Sequence, residues 1–168
     1  GIIVIVVGAW LFFEGRNGKA TVTQLTPQEQ AEFDPKNATY EIEGKAITLA
    51  KGVSEIEIAP GSATKIITRY FGNEVKHDLN DDGREDVAFL LTQETGGSGV
   101  FFYIVAALNT PNGYIGSKAF FLGDRIAPQT TEISQNPRHQ YVIVVNYADR
   151  APGEPMTARP SMGKSAYL

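Results

Sequence analysis

A mainly β, antiparallel domain with at most one or two short helices is what the sequence predicts, and three observations carry that expectation. From about residue 38 onward, apolar and polar residues alternate with a period near two, or apolar residues follow one another in short runs. These runs are rich in Val, Ile, Phe and Tyr and are bounded by Gly, Pro or Asn, the composition of strands between turns. A sustained 3.6-residue period is almost absent. A sandwich, a barrel and a meander all fit this pattern, and an apolar N-terminal segment precedes it.

Taken in order, Tyr40 and Ile42 alternate with Glu41 and Glu43, Gly44 permits a turn, and Ala46–Leu49 resumes the pattern, so a hairpin is expected. Val53, Ile56 and Ile58 form the next candidate strand, Pro60-Gly61-Ser62 a turn, and Thr64–Phe71 another strand. Asp86–Thr92, Val100–Asn109, Ser117–Leu122, Thr130–Ser134, Gln140–Tyr147 and Lys164–Leu168 complete the set. Val100–Ala107 and Val142–Val145 are apolar at successive positions, as strands buried on both faces are. One short helix is expected near Ile115–Phe121.

The chain divides into three segments: residues 1–13 a truncated transmembrane anchor, 14–37 a tether with a short helix, and 38–168 a β-rich globular domain. In Gly1–Phe13 nothing is charged or polar, and Trp10, Phe12 and Phe13 suit an interfacial aromatic belt. Thirteen helical residues reach only about 20 Å of a hydrocarbon core about 30 Å thick, so the run is expected to belong to a longer span. A signal-peptide core and a buried strand are the rivals. Glu14 and Arg16 intervene before the one passable cleavage site at Gly18-Lys19-Ala20, which disfavours the first. A bacterial-type anchor of this kind places the remainder outside the cytoplasm, periplasmic or at the cell surface. In the tether, Thr26-Pro27-Gln28-Glu29 matches a capping box with Pro at the first helical position, and Pro35 stops the helix.

The bulk numbers exclude whole classes. With 168 residues, 42% hydrophobic and 20% charged, the chain can build a core and is neither collagen-like, coiled-coil nor wholly disordered. Its net charge of −4 falls on the residues after Phe13 and argues against a nucleic-acid partner, which needs a concentrated basic face. The absence of cysteine removes disulfides, thiolate metal sites, a thiol nucleophile and the lipid-bearing cysteine of a lipoprotein.

The most informative stretch is Asp78–Asp86, with the spacing D-x-N-x-D-G-x-x-D ahead of the apolar run Val87–Leu91. A hard Ca²⁺ ion takes about six to eight oxygens, and a loop with oxygen side chains at alternate positions wraps one from one side. Asp78, Asn80 and Asp82 fill positions one, three and five; Gly83 permits the sharp turn; the Arg84 carbonyl falls at seven and Asp86 at nine, while Asp81 points away. Held together without a cation, the three carboxylates Asp78, Asp82 and Asp86 repel. The bland alternative is a solvated acidic turn at Asp82-Gly83. An EF-hand is excluded because its twelfth position is Phe89 and a strand, not a helix, comes next.

This loop resembles the calcium loops of FG-GAP/integrin propeller repeats and dockerin-type modules. It occurs once, so the resemblance implies a structural calcium site and not a propeller. Over residues 37–168, the combination of Asn37–Tyr40, Asp78–Asp86, Gly96–Tyr103, Leu122–Ile126 and Arg150–Ser161 resembles a group of small bacterial membrane-anchored envelope proteins of unknown function, a resemblance that implies location and no activity.

Other polar clusters are weaker. Gly96-Gly97-Ser98-Gly99 lacks the Lys-Ser/Thr ending of a P-loop and reads as a hairpin turn; Ser98 fails G-x-S-x-G because Val100 stands at its last position. His77 reads as a strand-end residue and His139 as an exposed turn residue. Asp124-Arg125 and Asp149-Arg150 each follow a strand, where an ion pair locking a loop outweighs an anion clamp. The Pro-rich connection Arg150–Ser161, with Arg150, Glu154 and Arg159, is the expected place for a ligand or partner. The leading reading is a membrane-tethered envelope domain with a structural calcium loop, acting as a binding or interaction module toward an unknown protein or small ligand. A metal-dependent or serine-type surface hydrolase and a scaffold subunit of an envelope complex are the alternatives, and enzymatic activity is the less expected.

Overall fold

A computed structural model of the chain describes residues 33–168, so the expected anchor at 1–13 and the capping box at Thr26 lie outside the described residues. The first element among them is a short 3-10 turn, Pro35–Asn37. Asp34 caps it by accepting the Lys36 N–H, and Pro35 occupies an early position where no N–H is required. Three bonds fasten the turn to the chain around β1 and β3: the Tyr40 hydroxyl donates to the Pro35 carbonyl at 2.7 Å, the Gly52 N–H to the Lys36 carbonyl at 2.8 Å and the Lys51 N–H to Asn37 Oδ1 at 2.7 Å.

Two short strands come next, β1 (Thr39–Ile42) and β2 (Lys45–Thr48), joined by Glu43-Gly44. Both turn residues have positive φ, +50° and +78°, the backbone handedness that a two-residue hairpin needs. After them comes a six-stranded sheet, built from β3 (Val53–Glu57), β4 (Lys65–His77), β5 (Asp86–Glu94), β6 (Phe101–Thr110), β7 (Gly113–Gly116) and β8 (Phe120–Asp124). Neighbours from β3 to β7 pair in sequence order, all antiparallel, and β8 takes the remaining length of the β6 edge beside β7. The third layer is β9 (Ala127–Ile133), β10 (Ile143–Asp149) and β11 (Met162–Tyr167), with β10 in the middle. The sheets are open and antiparallel, and the 3-10 turn is the only helix among the described residues.

The pleat of β5 explains the layering. Val87, Phe89 and Leu91 point to one face and Ala88 and Leu90 to the other, and all are essentially inaccessible to water. On the first face they meet Tyr40, Ile42, Ile47 and Leu49 of the hairpin together with Tyr103 and Val105 of β6. On the second they meet Ile143, Val145 and Tyr147 of β10, with Phe102, Ile104 and Leu122. Phe89 sits between two tyrosines, edge-on to Tyr40 at 5.6 Å and tilted to Tyr70 at 5.0 Å. Lys36 closes this corner with its ammonium 4.4 Å from the centre of the Tyr70 ring.

Two expectations change in detail. The helix expected near Ile115–Phe121 is absent: Gly113–Gly116 and Phe120–Asp124 are strands on the open edge of β6, and Ser117–Ala119 bonds β1 in the parallel sense through Glu41. A helix there would leave the backbone of the most buried pair of strands unpaired on one side. At Gly116 the chains approach so closely that a Cβ would run into the Thr39 carbonyl and the Tyr40 ring. Strand β4 also runs beyond Phe71 to His77, passing Gly72 and Asn73 at positive φ through a shift in register.

Removing the Phe89 ring leaves a cavity between both tyrosines. Phe89→Ala is expected to cost about 3–5 kcal/mol of unfolding free energy, read from the midpoint of urea denaturation at unchanged slope.

Candidate functional site

The Asp78–Asp86 loop leaves the end of β4, opposite the β6–β7 turn. Three of its side chains converge. The Asp82 N–H lies 3.1 Å from both Asp78 Oδ1 and Asn80 Oδ1, the Gly83 N–H donates to Asp78 Oδ2 at 2.7 Å, and Asn80 Nδ2 reaches Asp82 Oδ2 at 3.2 Å. Asp81 is exposed and takes positive φ, +60°, as does Gly83 at +81°. Partial burial works to raise the Asp78 carboxyl, but the N–H groups of Gly83, Asp82, Asp81 and Asn80 outweigh it and hold the carboxyl below its ordinary range.

Arg84 and Asp86 behave differently from the other three. Arg84 turns its guanidinium back on the loop, with Nη2 2.8 Å from Asp82 Oδ2 and Nε 2.8 Å from the Asn109 carbonyl. Positive charge thus already stands beside Asp82. Asp86 is fully buried and forms the floor: Oδ2 accepts the Leu79 N–H at 3.0 Å and Oδ1 the Asn109 N–H at 2.7 Å. Asp86 thereby ties the start of the loop to its end and fastens that end to Asn109 of β6. Among the described residues no group of three or more His, Cys, Asp or Glu is arranged to hold a metal ion. The oxygens gathered here are those of Asp78, Asn80 and Asp82, while Asp86 spends both of its own on backbone N–H groups.

A second polar cluster joins segments far apart in sequence. Asp124 Oδ1 accepts the Val100 N–H at 2.9 Å and the Arg125 Nε at 3.1 Å, so the glycine-rich loop, the end of β8 and Arg125 meet on one carboxylate. Desolvation pushes the Asp124 carboxyl up, yet these donors prevail and lower it. Arg150 donates from Nη1 to the carbonyls of Asp124 and Arg125 and from Nε to the Ala158 carbonyl. Glu154 caps its own loop by accepting the Ala151 N–H at 2.7 Å, and Arg159 is exposed. Of the three loop residues expected to meet a ligand, two are therefore engaged in holding the loop. Lys164 of β11 reaches Asp149 Oδ2 at 2.7 Å, the largest influence lowering the Asp149 carboxyl.

Ser98 is exposed in the β5–β6 connection. His77 ends β4 with its ring 6.3 Å from that of Tyr141, and the His139 N–H closes a turn on Asn136. Beyond the hairpin, the face of the large sheet that carries Phe89 and Tyr103 also carries Ile56, paired with Ile66, and Phe121, paired with Tyr103. There Ile56, Ile58 and Phe121 remain 43%, 51% and 51% exposed. Phe121 leans on Phe101 and Tyr103 at 6.3 and 5.4 Å, and the Tyr103 hydroxyl donates to Glu43 at 3.0 Å. Sequence reasoning does not single out these side chains, nor Asn109. The alternation of Ile56 with Ile58 is visible there, but not which face the hairpin leaves open.

No protein-family model matches the chain, and comparison with curated proteins and with solved structures finds no match either.

Asp86→Ala is expected to leave the Leu79 and Asn109 N–H groups without an acceptor and to cost about 2–4 kcal/mol in chemical denaturation. The Asp149–Lys164 pair predicts a pH dependence. Because the Asp149 carboxyl titrates lower in the folded chain than in the unfolded one, its contribution is complete above the ordinary carboxylate pKa of about 4 and fades as pH falls through the lower folded value. Both groups touch water, so Asp149→Asn is expected to cost at most about 1 kcal/mol at pH 7, a difference that shrinks in melts as pH is lowered below about 4.

Proposed function

We propose that this chain is an envelope interaction module, tethered to the membrane through Gly1–Phe13 and displayed outside the cytoplasm, with a structural calcium loop at Asp78–Asp86. The observation that carries the interaction reading is the exposed apolar side chains at the two edges of one sheet face, Ile56 and Ile58 at the β3 edge and Phe121 on β8, which the β1–β2 hairpin covers only in part. Apolar side chains held on a rigid sheet at fixed spacing offer area without the entropic cost of ordering a loop. Arg150 and Glu154 support the same reading indirectly, since their bonds hold the Pro-rich connection in place instead of leaving it to clamp a ligand. A scaffold subunit of an envelope complex is the second reading; it rests on the same side chains and differs in the permanence of the partner. No geometry around Ser98, His77 or His139 favours a hydrolase.

The calcium part of the proposal is supported by the convergence of Asp78, Asn80 and Asp82 on one turn and by the sequence spacing, which assigns position seven to the Arg84 carbonyl. The ion would take over the neutralising role that the Arg84 guanidinium now has at Asp82. Among the described residues no helix is long and apolar enough to cross a membrane; the anchor at Gly1–Phe13 rests on the sequence alone.

Two experiments test the proposal. Calcium titration of the full chain by calorimetry is expected to give one site with Kd on the order of 10⁻⁴–10⁻³ M, lost in Asp82→Ala and tightened several-fold in Arg84→Ala, which removes the competing cation. A melting temperature indifferent to millimolar Ca²⁺ and to chelator overturns the calcium assignment. Pull-down from intact envelopes with Ile58→Ser/Phe121→Ser is expected to lose at least ten-fold of any partner held by the wild type, with the melting temperature within a few degrees of it. Equal capture by both proteins overturns the role given to this face.

A further inference from the structure

We draw no further inference here: the strongest candidate, the cleft of about 250 Å³ between the Pro35–Asn37 turn and the strand ends at Glu74–Lys76 and Glu85–Val87, is a cluster of carboxylates and lysines engaged with one another and with Tyr70, and nothing in the structure points to an ion or ligand within it.

Discussion

Strand β5 carries apolar side chains on both of its faces, and that forces a layer of protein onto each side of the sheet. From Asp86 to Gln93 every residue of the strand is buried. A strand of this kind has no face to offer water, so its neighbours must supply two cores. The hairpin β1–β2 provides one and the β9–β10–β11 sheet the other. Each fully buried Leu or Phe side chain contributes about 1.5–3 kcal/mol by removal from water. Phe89, Leu90 and Leu91 are among the largest fully buried side chains and come from one short stretch of chain. The rest of the architecture serves to cover them.

The same strand begins with the one fully buried carboxylate among the described residues, and this is how the core reaches the acidic loop. Asp86 pairs with His77 across the sheet and receives two backbone N–H groups, from Leu79 before it and Asn109 beyond it. A carboxylate is tolerated there because both oxygens have donors. The loop therefore starts and ends on rigid strands, and its side chains converge in a fixed place. Arg84 adds a bond to the Asn109 carbonyl, so the β6–β7 hairpin is held to the loop from two directions. At the far end of the sheet the organisation is similar: Asp124 and Arg150 gather the glycine-rich loop, the β8–β9 corner and the Pro-rich connection.

How much of this is legible in the sequence differs by residue. The Glu43-Gly44 turn, the ladder of strands and the central place of Val100–Ala107 and of Val142–Val145 come straight from alternation and turn chemistry, because those are local properties. The helix expected near Ile115–Phe121 illustrates the opposite case, where the open edge of β6 overrides local preference. The extension of β4 to His77 is hidden by Gly72 and Asn73, which interrupt the pattern without ending the strand. Within the acidic loop, alternate spacing identifies Asp78, Asn80 and Asp82 as a converging set. It does not show that Asp86 turns inward, because the donors that hold it include Asn109, more than twenty residues away.

What the sequence determined by itself is the mainly β class of the domain, most of its strands, the Glu43-Gly44 hairpin and the chemistry available in each loop. All of these depend on side chains within a few positions of one another. Only the tertiary structure decided which strand is sealed on both faces, which arginine holds a loop instead of a ligand, and which apolar side chains stay in contact with water. Those outcomes depend on how far one layer extends over the next, a distance set by strand length and register and written in no single segment.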